Sequence, residues 1–286
     1  MYADGTSSAD AWSADNVVEL QLEYYPLLHR GLVRERNEDR CGAFEPEDAA
    51  LRAQRGRLFI VADGMGGLAA GDVAAETAVR VIQDAYFRGP WRGPAVQLRG
   101  AFATANARII ALAEQQGHEG MGAAVIAAAV VQQSVWVAHV GDCRGYLVRG
   151  GSITRLTTDH SWVQEHVDAG HLSPTEVPGH PYRNVLTRAL GVDTQATPDV
   201  TTAPLAPADA LLLCSDGLWS LADDAELAAT VSAAADATSA AQALADLALA
   251  RGGHDNIAVI VVRIAGPTGV APTLRLQREP AAGSQR

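Results

Sequence analysis

The chain is poor in cysteine and in aromatic residues, and it has no apolar run of membrane length. Its three cysteines, Cys41, Cys143 and Cys214, are too few and too scattered for a disulfide framework or a zinc cluster. The expectation is small buried thiols in a reducing compartment. A membrane span needs roughly 20 apolar residues, and the run Ala123–Val131 is too short. Residues 1–16 (MYADGTSSADAWSADN) have neither the basic start nor the apolar centre of a secretory signal. The expected location is the cytoplasm. Aromatics make up 5% of the chain, so alanine and valine carry much of its apolar content. Basic residues are outnumbered 33 to 22, a net charge of −11 that argues against nucleic acid or an anionic membrane as partner. There is no HExxH motif and no Cys pair at zinc spacing.

What is present reads as one domain. Residues 1–26 are a polar N-terminal arm, 27–265 a single folded domain, and 266–286, rich in Gly, Pro and Arg, a disordered tail. No solenoid-length repeat occurs. Gly71 to Tyr86 has helical spacing, with Val73, Ala74, Thr77, Ala78, Val81 and Ile82 on one face. Ala95 to Gln116 is a second helix, with Leu98, Phe102, Ala105, Ile109 and Leu112 inward. The runs Ala124–Val131 and Ser134–Val140 are separated only by Gln132-Gln133, which forces a hairpin. Gly150-Gly151 marks another, between Gly145–Val148 and Ile153–Leu156. Ala237 to Ala250 is an alanine-rich helix stopped by Gly252-Gly253, and the strand Ile257–Ile264 follows. Linked hairpins mean antiparallel sheet. Near-continuous apolar strands mean that both sheet faces are covered. The fold class is therefore α+β, a layered sandwich of antiparallel sheets and helices.

The motifs with chemistry sit at strand ends. Leu58–Ala62 runs into Asp63-Gly64, Ala210–Ser215 into Asp216-Gly217, and Ser134–Val140 into Gly141-Asp142. In a fourth, Gly252-Gly253-His254-Asp255-Asn256 precedes the strand from Ile257. One Asp-Gly after a strand is usually just a turn. Four acid-bearing strand ends repel one another unless a cation lies among them. Hard oxygen ligands select magnesium or manganese, and glycine beside the acid leaves a backbone carbonyl within reach of the ion. Two such ions can activate a water for in-line attack on phosphorus. A phosphate substrate also needs a fork-shaped cation. Arg34 in GLVRERNEDR is the candidate, with Arg36 and Arg40 as nearby alternatives. Glu38-Asp39 adds two carboxylates suited to holding metal-bound water.

These residues resemble the metal-dependent protein phosphatases (the PPM, or type 2C, family) in their bacterial single-domain form. The match runs from about Leu28 to Ile264 and includes, in order, GLVRERNEDR, LFIVADGMGG, MGAAVIAAAV, VAHVGDCRGYLVRGG, LTTDHSWVQEHVDAGHLSP, HPYRNVLTRALG, LLLCSDGLW and GGHDNIAVIVV. The resemblance implies a four-layer sandwich of two antiparallel β-sheets flanked by helices. It also implies hydrolysis of phosphoserine and phosphothreonine at a two-metal site using Mn²⁺ or Mg²⁺. By the same resemblance, Asp63 bridges both metals, the Gly64 carbonyl binds one, and Asp216 and Asp255 complete the other, with Asn256 supporting Asp255. Asp39 holds metal-bound water with Glu38 behind it, Arg34 grips the phosphate, and Asp142 matches a weaker third metal position. Residues 159–191 match the flap beside the active site. The implied partners are phosphorylated proteins, a Ser/Thr kinase among them.

Several positions depart from the family pattern. Met65 lies where eukaryotic members carry a histidine proposed as general acid, which leaves that role to a metal-bound water or to a flap residue such as His160. Ala123-Ala124 replaces small hydroxyl residues. Ser220 lies where some relatives add an acid to the third metal site. Other readings are weaker. Gly64-Met65-Gly66-Gly67-Leu68-Ala69 fits a dinucleotide fingerprint, but Asp63 would oppose the pyrophosphate and the hairpins deny a βαβ unit. Cys143–Arg149 fits the C-x5-R of cysteine phosphatases, but reads as a strand beside Asp142, which disfavours a thiolate. A phosphoprotein-binding scaffold without turnover would be marked by loss of a core aspartate, and every one is present.

Overall fold

The structure is a computed structural model that describes residues 20–66, 70–265 and 277–278. In chain order the first half contains β1 (Gln21–His29), β2 (Arg40–Phe44), α1 (Ala49–Arg55), β3 (Arg57–Met65), α2 (Gly71–Phe87), α3 (Pro94–Gln116), β4 (Gly122–Val131) and β5 (Ser134–Val140). The second half contains β6 (Arg144–Arg149), β7 (Ser152–Arg155), α4 (Trp162–Asp168), β8 (Asp199–Pro204), β9 (Ala210–Cys214), α5 (Asp216–Trp219), α6 (Asp224–Ala233), α7 (Ala237–Ala250), β10 (Ile257–Ala265) and β11 (Gln277–Arg278). One sheet has the order β1-β10-β9-β6-β7, the other β11-β8-β5-β4-β3-β2, and every pairing is antiparallel.

The apolar strands are explained by their two buried faces. In β3, Leu58, Ile60 and Ala62 pack towards α2 and α3, while Phe59 and Val61 meet the other sheet. In β10, Ala258, Ile260 and Val262 fill the space between the sheets, while Ile257, Val259 and Val261 pack against α7. The period-2 alternation of a strand thus sends successive residues into different cores. Three cores give four layers: α2 and α3, one sheet, the other sheet, and α6 with α7. The four-layer α+β sandwich is the observed architecture.

Two boundaries differ from the sequence reading. Residues 21–26, expected to end a polar arm, form most of β1. Among the described residues this is an edge strand paired with β10 alone, so its outward residues stay polar or exposed and it tolerates Pro26. In the expected disordered tail, Gln277 and Arg278 pair with Thr202 and Thr201 of β8. The rest of the arm and of the tail lies outside the described residues.

Candidate metal centre

The topology brings all four strand-end aspartates to one edge of the sandwich. Asp63 lies near the end of β3, beside the start of β4, and its register partner is Ala124. β5 returns antiparallel and ends at Val140 opposite Val125, so Gly141-Asp142 emerges beside Asp63. In the other sheet β9 and β10 are antiparallel, with Cys214 opposite Val259. A carboxylate after β9 and one before β10 therefore share an edge, which is why Asp255 precedes its strand while the others lie at or just past the ends of theirs.

The resulting cleft, about 560 Å³, is lined by Asp63, Gly64, Asp142, Asp216, Asp255, Glu38 and Arg34, with Met65 among them. Close backbone contacts hold it together. A side chain at Gly64 would sit 2.1 Å from the Gly71 carbonyl oxygen and 2.7 Å from that of Glu38. One at Gly31 would sit 2.2 Å from the Asp255 carbonyl oxygen. Asn256 is the clamp of the Arg30–Glu38 loop. Its Oδ1 accepts from the Glu38 N–H at 2.8 Å, and its Nδ2 donates to the Arg30 and Arg36 carbonyls at 2.9 and 2.8 Å.

The two acids of the Glu38-Asp39 pair face different surroundings. Glu38 lines the cleft, while Asp39 is buried beneath it and accepts a 2.6 Å hydrogen bond from Ser215 Oγ. Ser215 in turn accepts from the Ala258 N–H at 2.9 Å, so this hydroxyl ties β10 to the cleft floor. Sequence reading missed Ser215, whose partner is 176 residues away. Arg34 reaches into the cleft, and its Nη2 donates to Asp255 Oδ2 at 2.7 Å. The third-site candidate Asp142 has its carbonyl held by Trp219 Nε1 at 3.0 Å.

The flap forms the opposite wall. Asn184, Leu186, Thr187 and Arg188 of the expected flap line the cleft, with Val192 just after it; none was singled out individually in the sequence, which carries no acid-glycine signal there. The flap is pinned to β4 by reciprocal 2.9 Å bonds between Ala123 and Leu190. His160, a candidate proton donor, is not at the cleft. It is buried, its Nδ1 accepts from the Gly141 N–H at 3.1 Å, and its Nε2 faces Asp199 at 3.3 Å.

The electrostatics are those of a cation site. Burial, then mutual repulsion, pushes the Asp63 carboxyl well above its usual range, with Asp39, Asp216, Asp142 and Asp255 as the repelling neighbours. Burial likewise raises Asp142 well above that range, Asp39 to about 7 and Asp216 to about 6. Among the described residues no three acidic, His or Cys side chains are grouped so as to hold an ion as they stand. The acids instead share the walls of one open cleft. Their chemistry fits a divalent cation nonetheless: hard oxygen donors, buried charge of one sign, and a Gly64 backbone with no room for a side chain beside it.

A two-sheet sandwich with such a cleft at its edge defines a class of protein, one built around divalent cations. The comparisons give the family. The family model for Protein phosphatase 2C matches residues 33–250. The serine/threonine phosphatase Stp of Listeria innocua serovar 6a is 38% identical over 238 residues, 82% of this chain and 92% of that protein. The structure of serine/threonine phosphatase Stp1 from Staphylococcus aureus aligns with a TM-score of 0.80 at 30% identity, covering 87% of this chain and 97% of the other. The catalytic domain of the phosphatase PstP in complex with two manganese ions aligns at 0.74 and 32% identity, covering 86% of this chain and all of the other. The chain belongs to the protein phosphatase 2C family.

Proposed function

We propose that this chain is a metal-dependent serine/threonine phosphatase that removes phosphate from phosphoserine and phosphothreonine in proteins. The observation that carries the reading is the meeting of Asp63, Asp142, Asp216 and Asp255, from two sheets, in one cleft with Arg34 at its side. Asp63, the Gly64 carbonyl, Asp216 and Asp255 are the groups that would hold two Mn²⁺ or Mg²⁺ ions, with Asp142 for a third. The manganese-bound PstP relative supports that choice of metal. Bound there, the ions supply a nucleophilic water at neutral pH and offset the charge of the phosphate.

The chain's own residues do the rest. Arg34 presents a planar fork that binds two phosphate oxygens, and its contact with Asp255 aims it over the cleft. Glu38 faces the cleft to orient water, and Asp39 below it joins Ser215 to the cleft floor. Asn256 keeps the Arg34 loop against Asp255. Neither Met65 nor buried His160 can hand a proton to the departing hydroxyl, so solvent in the cleft is its source. The substrates are phosphoproteins, and we extend the proposal to a partner Ser/Thr kinase whose product the enzyme reverses. Cys41, Cys143 and Cys214 are all unpaired, which supports a reducing, cytoplasmic location. Among the described residues no helix is long and apolar enough to cross a membrane.

The test is hydrolysis of a phosphothreonine peptide in manganese. Asp63→Asn and Asp216→Asn should each lower kcat by about 10²–10³-fold or more, the scale of losing a group that stabilises transition-state charge. Activity that survives a chelator, or persists in both variants, would refute the reading.

A further inference from the structure

Ser215 stands where a serine ordinarily caps a helix, yet its side chain caps nothing. It is the residue before α5, its backbone is extended, and no hydrogen bond runs from its hydroxyl to the helix. A serine at that position normally accepts from an N–H of the first turn. Here the hydroxyl is turned inward. It is fully buried, accepts from the Ala258 N–H at 2.9 Å, and donates its one proton to Asp39 Oδ2 at 2.6 Å. That length falls in the short range, about 2.5–2.7 Å, of a hydroxyl bound to a carboxylate.

Three acids of the cleft meet at this one residue. Asp216 follows it in the chain. The Ser215 N–H donates to the Ala258 carbonyl at 3.0 Å while its hydroxyl takes the Ala258 N–H, so the residue pairs with β10 through both groups. Two positions on, Gly217 has no room for a side chain, since a Cβ would sit 1.9 Å from the Asn256 carbonyl oxygen. Asp216 is thus fixed between two contacts with the segment that carries Asp255. The third acid, Asp39, is held by its carboxyl itself, from 176 residues away. Burial first, and then Asp39, raises the Asp63 carboxyl, so these two acids adjoin. Adjoining carboxylates repel, and turning Asp39 away from Asp63 would relieve them. The bond from Ser215 opposes that turn. A carboxylate already held in place needs less rearrangement when an ion arrives.

We propose that Ser215 is a positioning residue of the metal centre: its hydroxyl holds the Asp39 carboxyl beside Asp63 and thereby strengthens the binding of Mn²⁺ in the cleft. The proposal rests on the metal-dependent reading above and adds to it a residue that lines no part of the cleft. A purely structural role, in which the hydroxyl only extends the pairing of β9 with β10, is the alternative. The two differ in what Asp39 contributes. If Ser215 acts through that carboxyl, its effect on the metal disappears when the carboxyl is removed. If it acts through Ala258, its effect is the same with or without Asp39.

The experiment is calorimetric titration of Mn²⁺ into the full chain after its metal has been removed with a chelator, with thermal melting to confirm that each variant is folded. Ser215→Ala should weaken Mn²⁺ binding by about 10–100-fold, the usual cost of losing a group that orients a metal site from behind. Ser215→Thr keeps the hydroxyl and should restore most of the affinity. Ser215→Cys offers a thiol of similar shape and weak donor strength. It should fall between the two, and it serves in place of the alanine variant should that one fold poorly. In an Asp39→Ala background, Ser215→Ala should cause almost no further loss, because residues that act as one unit are not additive. Unchanged Mn²⁺ affinity in Ser215→Ala, or an equal loss in the Asp39→Ala background, would overturn the proposal. Wild-type protein that binds no Mn²⁺ would overturn the metal reading and the proposal with it. Wild-type protein that binds Mn²⁺ and leaves phosphothreonine peptides intact would overturn the phosphatase reading, while the comparison of affinities still decides the role of Ser215.

Discussion

Two sets of aspartates lie in this fold, and they are differently partnered. Asp159 and Asp209 belong to the first set. Asp159 is held by Arg144 at 2.7 Å and also by Arg155, while Asp209 is gripped by Arg149 through both oxygens at 2.7 and 2.6 Å. Asp39, Asp63 and Asp142 belong to the second. Among the described residues no arginine lies within ion-pair distance of any of them, and each is raised by burial. All 22 basic residues of the chain are arginine, so every available cation is a fork that can bind a carboxylate with two bonds. The fold distributes these forks to one set and withholds them from the other, save for Arg34 on Asp255 at the cleft's side. Paired acids hold the structure, and unpaired acids at a common cleft await a cation from outside.

The largest effect should come from breaking the paired set. Asp159→Ala leaves Arg144 and Arg155 without their shared carboxylate, with side chains only 17% and 24% exposed. Removing one partner of a buried ion pair costs about 3–5 kcal/mol. Chemical denaturation of the chelated protein should show a loss of that order. A variant as stable as the wild type would place Asp159 with the dispensable surface pairs.

The unpaired set should give the opposite behaviour with pH. The folded carboxyls of Asp39, at about 7, and Asp216, at about 6, lie above the ordinary carboxylate value near 4 that the unfolded chain has. Between pH 4 and 8 the folded state therefore binds more protons than the unfolded one. The stability this contributes is complete below pH 4 and is lost as pH rises through 6 to 7. In chelator, Tm should fall from pH 5 to pH 8, by about 2–4 °C for each kcal/mol lost. Manganese at pH 8 should restore it. A flat or rising profile in chelator would mean that the cleft carboxylates carry no such burden.

The same contrast explains what was legible in the sequence. Asp63, Asp142, Asp216 and Asp255 could be read because each interrupts an apolar run, and a charge at a strand end beside glycine is a local pattern. The hairpins on either side of Gln132-Gln133 and Gly150-Gly151 were legible for the same reason. β1 was not, since an edge strand keeps polar residues outward and Pro26 looks like a break. The flap as a segment was expected beside the active site from the resemblance alone, but its individual cleft residues Asn184, Thr187 and Arg188 were not legible, because the Ala123–Leu190 bridge that brings them to the cleft is a long-range contact with no local mark. Nor was the deep burial of Asp39 beside Glu38. Adjacent residues point in different directions, and Ser215, far along the chain, decides which one is buried.

The smallest effect concerns the residue where the two sets meet. Trp219 supports the Arg144 guanidinium on its ring face, on the paired side, and donates its Nε1–H to the Asp142 carbonyl at 3.0 Å, on the unpaired side. Phenylalanine keeps a ring for the guanidinium and removes the donor, so Trp219→Phe should cost about 0.5–1.5 kcal/mol, the net value of one hydrogen bond. Trp219→Ala removes both contacts and should cost at least a further 0.5–2 kcal/mol or so for the cation on the ring. Denaturant titrations of the two variants separate these contributions. Equal losses would show that the ring face contributes nothing and that the hydrogen bond to Asp142 is the whole link between the sets.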